Sequence, residues 1–183
     1  MTGIKFAKLK IQTKYIKMKS LILSITALFI TLSASSQTIV DAAASNKDFS
    51  TLVTALKAAD LVGALSGEGP FTVFAPNNDA FGKIDSETLG SLLKPENVGA
   101  LSNILTYHVI SGKLMASDVT KALKDGYGKV KLTALNGQTF VARSKGGKIF
   151  LKDQNGEMSE VIATDVVGTN GVIHVIDSVI MPE

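Results

Sequence analysis

Three polar residues near the C-terminal end, His174, Asp177 and Ser178, are the residue types of a base, an orienting acid and a nucleophile. Their spacing works against that use. Successive side chains of an extended segment alternate, so His174 and Asp177 point to opposite faces. No G-x-S-x-G elbow lifts the serine onto a turn, and hydrolysis is not expected. His108 and His174 are the two histidines of the chain, and it has no Cys. Two separated imidazoles fall short of a zinc ligand set. A disulfide framework, a redox pair and a Cys nucleophile are excluded. Asp153-Gln154-Asn155-Gly156-Glu157 offers oxygens of the kind calcium takes, but without the length and spacing of an EF-hand loop. A solvated hairpin turn is the expected reading. The Gly-rich turns lie between strands and open no helix, so they cradle no phosphate. No catalytic residue, metal or cofactor is expected.

Charge and composition narrow the partners. The formal net charge is +3, yet the first 36 residues hold six Lys and no acid, which leaves 19 − 6 = 13 basic against 16 acidic residues, a net of −3. Overall charge therefore gives no footing for nucleic acid or anionic lipid. Aromatic residues are 6% of the chain and Trp is absent, too few for a base-stacking surface. With 45% hydrophobic and 19% charged residues, the chain suits a packed core rather than disorder.

The N-terminus reads as an export signal. KYIKMKS (14–20) is followed by the apolar run Leu21 to Leu32 and then by SASSQ. A spanning helix needs ~20 apolar residues, so this run is short for an anchor. Ala34 and Ser36 at −3 and −1 would leave Gln37 as the mature start, with cleavage after Ser35 as the alternative. Met18 is the more usual initiator, which would make residues 1–17 an extension. No stable membrane insertion is expected after cleavage.

The elements that position these groups fall into two blocks within residues 37–183. Helical signals come first. They cover Thr38 to Ala44, then Asp48 to Ala59 with Phe49, Leu52, Val53 and Leu56 on one stripe. Further helices are expected over Ala59 to Leu65, Ser86 to Leu93, and Pro95 to about Thr106. A buried strand, Phe71 to Ala75, interrupts them. After residue 128 the pattern is β. Strands are expected over Lys129 to Ala134, Gln138 to Arg143, Lys148 to Lys152, Met158 to Val167 and Val172 to Ile180, joined by Gly-containing turns. The last strand is apolar on both faces and so should be central. This is an α+β arrangement.

Two segments carry more than that pattern. In TVFAPNNDAF, Thr72 to Phe81, Pro76 ends the strand, Asn77 or Asn78 caps the next helix, and Phe81 packs that helix back. The other is TNGVIHVIDSVIMP, which runs from Thr169 to Pro182 and holds Asn170, Gly171, His174 and Asp177. Together they resemble the two signature boxes of the fasciclin domain family. ILTYHVISG, with Tyr107 and His108, resembles the family's tyrosine-histidine motif, and Leu135-Asn136-Gly137 its strand-turn segment. The resemblance covers nearly all of residues 38–182. It implies a helical cluster on a wedge of two mainly antiparallel β-sheets. It also implies a non-catalytic role in adhesion, matrix or biofilm contact, secreted or in the cell envelope, with an extracellular protein or glycan partner and no nucleic acid.

The resemblance also suggests recognition residues. The tyrosine-histidine motif is tied to integrin adhesion in animal members, while at a helix-to-strand junction the imidazole is expected to bond backbone. Asp165 stands where some animal members carry an integrin-binding acidic motif. Ala163 and Thr164 replace its Glu-Pro, and a solvated strand-end Asp is expected. The loop from Asp165 to Asn170 is the expected contact surface. The rival reading is a carrier holding a small apolar ligand between sheet and helices.

Overall fold

The computed structural model describes residues 37–183. The expected export segment lies outside the described residues. Helix α1 (Ile39–Ser45) starts at a capping box, in which Thr38 and Asp41 each bond the other's backbone N–H. A 3₁₀ turn at Lys47–Phe49 leads into α2 (Ser50–Ala58), and α3 (Val62–Ser66) follows. Strand β1 (Phe71–Pro76) then crosses the core. Helices α4 (Asn78–Gly82), α5 (Ser86–Leu92) and α6 (Val98–Tyr107) come next, the last preceded by a 3₁₀ turn at Pro95–Asn97. The short strand β2 (Val109–Ser111) precedes α7 (Ala116–Asp125). The meander is β3 (Lys129–Thr133), β4 (Thr139–Lys145), β5 (Lys148–Lys152), β6 (Met158–Gly168) and β7 (Gly171–Ile176).

The α+β expectation agrees with this architecture. The two expected sheets share a strand and form one connected order, β2-β1-β7-β6-β5-β4-β3. Residues 158–160 of β6 pair with β5, whereas Val161 to Gly168 pair with β7. Every pairing is antiparallel except β1 with β7, which run parallel. As expected, β7 is central. Period-two alternation sends Val73, Ala75 and Ile173 into a core shared with α1, α2 and α6. It sends Phe74 and Ile176 into a second core with Tyr107, Phe140, Leu151, Ile180 and the α7 residues Val119 and Leu123. Each large side chain buried there stabilises the fold by roughly 1.5–3 kcal/mol. Gly171 is required because a Cβ would strike the Phe71 carbonyl, its partner in β1.

Helix α7 has no counterpart in the sequence expectations. Its stripe is narrow: among ASDVTKALKD, only Val119 and Leu123 are buried. The last strand stops at Ile176 rather than Ile180, because side chains replace the ladder. The Asp177 carboxylate takes the Glu160 N–H at 2.8 Å, and the Ser159 hydroxyl takes the Ser178 N–H at 3.1 Å. Asn77, and not Asn78, caps α4, accepting from the Ala80 N–H at 2.8 Å.

Candidate functional site

Tyr107 and His108 end α6, and both are out of water, at 0% and 2% exposure. The Tyr107 ring packs edge-on against Phe140 at 5.5 Å, and its hydroxyl donates to the Thr139 carbonyl at 3.1 Å. Burial, with the Asp153 charge nearby, pushes this phenol up to about 12. His108 Nε2 accepts the Ile180 N–H at 3.1 Å, and Nδ1 faces the Ile104 carbonyl at 2.8 Å. A nitrogen accepting an N–H carries no proton, and one facing a carbonyl must carry one. The ring is therefore the neutral Nδ1–H tautomer. Burial lowers its pKa to about 4, although the Ile104 carbonyl favours the charged form.

His174 uses the opposite tautomer. Nδ1 accepts the Asp165 N–H at 3.3 Å, and Nε2 donates to the Leu114 carbonyl at 2.8 Å. Buried Thr72 reaches the same segment, donating to the Gly112 carbonyl at 2.6 Å and accepting the Leu114 N–H at 2.8 Å. Asp165 completes this clamp, accepting the Ala116 N–H at the start of α7 at 2.9 Å. Asp165 is thus not a solvated strand-end acid. It lies inside β6, half-buried, where register shifts bulge the strand and φ reaches +61°. That left-handed geometry is one that Asp tolerates better than most residues.

Asn170 forms a second clamp. Its Oδ1 accepts the Ile39 N–H at 2.9 Å, and its Nδ2 donates to the Leu65 and Gly67 carbonyls at 2.8 and 2.9 Å. One side chain thereby joins α1, α3 and the β6–β7 turn. Asn78 does the same for α2, with Oδ1 on the Thr51 N–H at 3.1 Å and Nδ2 on the Lys47 carbonyl at 2.9 Å. Pro76 is the last residue of β1, and Phe81 is buried in the first core.

The three residues of hydrolytic type do not converge. Both His174 nitrogens face backbone. Ser178 Oγ donates to Asp177 and accepts from Lys83. Burial raises the Asp177 pKa, but the Glu160 amide, the Lys83 ammonium 3.1 Å away and the Ser178 hydroxyl together hold it below the ordinary value. Nor is Asp153 solvated: it is buried, and its carboxylate accepts the N–H groups of Glu157 and Met181 at 2.9 and 3.1 Å. Among the described residues, no group of three or more His, Asp or Glu side chains could hold a metal ion.

Two hollows have different characters. One, of about 20 Å³, lies among apolar side chains including Ile39, Leu52, Leu65 and Ile173 in the first core. The other, a surface cleft of about 220 Å³, lies between Lys83–Ile84 and the Asp153–Ser159 hairpin, with Ser178 and Val179. Its Lys83, Asp153 and Ser159 are already bonded within the protein.

The expected recognition residues are therefore engaged in clamps, buried at Tyr107 and His108 and half-buried at Asp165 and Asn170. What remains exposed near Asp165 is mostly apolar, with Ile162, Val166 and Val167 at 49%, 39% and 54% exposure beside Ala163 and Thr164. The β5 pairing ends at Glu160, so this part of β6 has β7 on one side alone. The sequence reading missed this strip. Its only trace is the Val166-Val167 pair, two consecutive apolar residues where alternation would bury one.

The model of the Fasciclin domain family matches residues 47–182, and the chain belongs to that family. It is 49% identical over 148 residues to Protein sll1483 of Synechocystis, covering 81% of this chain and 75% of that one. It is 36% identical over 141 residues to human periostin, covering 75% of this chain but 15% of periostin. A solved FAS1 domain pair from the insect cell adhesion molecule fasciclin I shares the fold. Its TM-score is 0.54 at 23% identity, covering 71% of this chain and 43% of that one. Among the described residues, no helix is long and apolar enough to cross a membrane.

Proposed function

We propose that the protein is exported and acts outside the cytoplasm as a non-catalytic binding domain in cell-surface, matrix or biofilm contacts. Its family membership and its likeness to a cell adhesion molecule support this reading. The observation that carries it is the exposure of three apolar residues, Ile162, Val166 and Val167, along the stretch of β6 that is paired on one side alone, Val166 and Val167 on its opposite faces. Exposed apolar residues on a bulged strand, held rigid by the Asp165 and His174 contacts, suit a protein partner meeting them by shape complementarity. The carrier reading would need the 20 Å³ void to grow more than tenfold to reach the ~300–1,000 Å³ of ligand pockets.

The test is attachment of the producing cells. Deleting the gene should weaken attachment or matrix cohesion, and added mature protein should restore it. The double variant Ile162→Ser/Val167→Ser, checked for unchanged melting, should restore much less. Full restoration by that variant would remove the strip from the contact. Unchanged attachment after deletion, with one small apolar ligand copurifying per chain, would install the carrier reading instead.

A further inference from the structure

The outward face of the β3–β4–β5 half-sheet is built from a different chemistry. The inward residues of these strands, among them Phe140, Ala142 and Leu151, belong to the second core. The strand register places Lys129 opposite Arg143 and Lys145 opposite Lys148 on the outward side, with Lys131 and Lys152 both opposite Val141. Six cations thus share one face with a single acid, Glu160, opposite Phe150. Among the described residues Lys148 alone of the six is ion-paired, to Glu160 at 2.7 Å. The Nε of Arg143 is buried and has no hydrogen-bond partner. From Gln37 onward the chain has 13 basic and 16 acidic residues, so the rest of it carries 13 − 6 = 7 against 16 − 1 = 15, a net of −8.

Protection of the β3 edge against pairing with another chain accounts for Lys129 and Lys131, but folding does not account for the sign of the four cations on β4 and β5. Strand alternation asks only that outward residues be polar, which Thr or Glu would satisfy. Like charges placed directly opposite across strands repel, and the face holds two such pairs, Lys129–Arg143 and Lys145–Lys148. We propose that this face binds an acidic polysaccharide chain. The inference rests on the binding-domain reading above and names a partner chemistry for a second surface of it.

Charge complementarity sets the sign of the partner, and the residue types set its class. The cations spread over about 10 Å across the strands and about 14 Å along them, which suits a chain bearing acids at intervals. Five of the six are Lys, point charges that meet carboxylate or sulfate from any direction, whereas bidentate phosphate and base recognition favours Arg. The one aromatic residue outward on these strands, Phe150, is half-buried, and the exposed Tyr127 just ahead of β3 is a single ring, fewer than successive stacked bases need. Val141 is half-buried as well, and the exposed apolar side chain on this face is a single one, Met158 opposite Lys152, too little for the continuous apolar side of a membrane-surface element.

The mature protein should bind dextran sulfate and polygalacturonate at low salt and release both as salt rises. It should ignore neutral dextran. Lys129→Gln/Lys131→Gln/Lys152→Gln should weaken that binding tenfold or more. Lys47→Gln/Lys57→Gln/Lys94→Gln, an equal charge change elsewhere, should weaken it less than twofold. Where the first triple melts below wild type, Lys145→Gln/Lys148→Gln supplies the same comparison. Ile162→Ser/Val167→Ser should bind both glycans normally. Equal loss in the two triples, no binding to either acidic glycan, or tighter binding to phosphatidylglycerol vesicles or duplex DNA would each overturn the proposal. If glycan binding is absent while attachment still depends on Ile162 and Val167, this inference fails and the adhesion reading stands. If the glycans bind as expected while those two residues prove dispensable, the reverse holds.

Discussion

His108 holds the C-terminal segment through a nitrogen that has to stay unprotonated. Its Nε2 takes the Ile180 N–H, and Ile180 fills the second core. The folded-state pKa of about 4 lies below the ordinary 6.5. Between these values the unfolded chain binds a proton that the folded chain refuses. This contribution is complete above pH 6.5 and is lost as pH falls toward 4, by about 3 kcal/mol in all. Urea melts at pH 7 and pH 4.5 should show wild type losing more stability than His108→Ala over that interval. At pH 7 the variant should itself be less stable by about 1–3 kcal/mol, the cost of an unpaired buried N–H. A variant that melts like wild type but no longer supports attachment would return His108 to a recognition role.

Clamps of the same kind hold whole elements. Asn170→Ala frees the Ile39 N–H and the Leu65 and Gly67 carbonyls at once, and should cost roughly 2–3 kcal/mol in chemical melts. Asp165 works on α7 through a single bond and adds a backbone demand, φ +61°. Asp165→Ala should therefore destabilise more than Asp165→Gly, since glycine adopts that conformation without strain. Equal losses in the pair would mean that the carboxylate alone matters. These clamps show what the sequence could convey. Strands β3 to β6 and their turns were legible because period-two alternation and the Gly turns are local signals. The helix block was legible from its apolar stripes. Helix α7 was missed although Ala116, Val119, Ala122 and Leu123 recur at helical spacing, because the six polar or charged residues among its ten dilute the signal. Asn170 and His174 could be picked out by their segments, but their partners lie 131 and 60 residues away. Nor could the outward cations be seen as one face. Lys129 and Lys131 alternate visibly, yet their union with Arg143, Lys148 and Lys152 depends on cross-strand register.

The molecule as a whole is held by two apolar cores and these clamps. With no Cys in the chain, and no metal-binding cluster among the described residues, melting curves with and without chelator or reductant should coincide. A lower melting temperature in chelator would reveal a site formed some other way. Protein recovered outside the cytoplasm should have an intact mass starting near Gln37, and full-length chain retained in the inner membrane would contradict export. The placement of the two ends of the described residues has a mechanical consequence. Gln37 is bonded to Thr169, just ahead of β7, through the Thr169 N–H at 2.9 Å. The C-terminal segment leaves from the other end of the same strand after Ile176, and it is clasped at Ile180 and Met181. Tension between residues 37 and 183 first strains those end clasps and then runs along β7. The hydrogen bonds to its neighbours β1 and β6 lie across the pull, so they are sheared together and not opened one by one. A domain anchored at both ends and loaded by flow would carry that force on a strand that is central and buried.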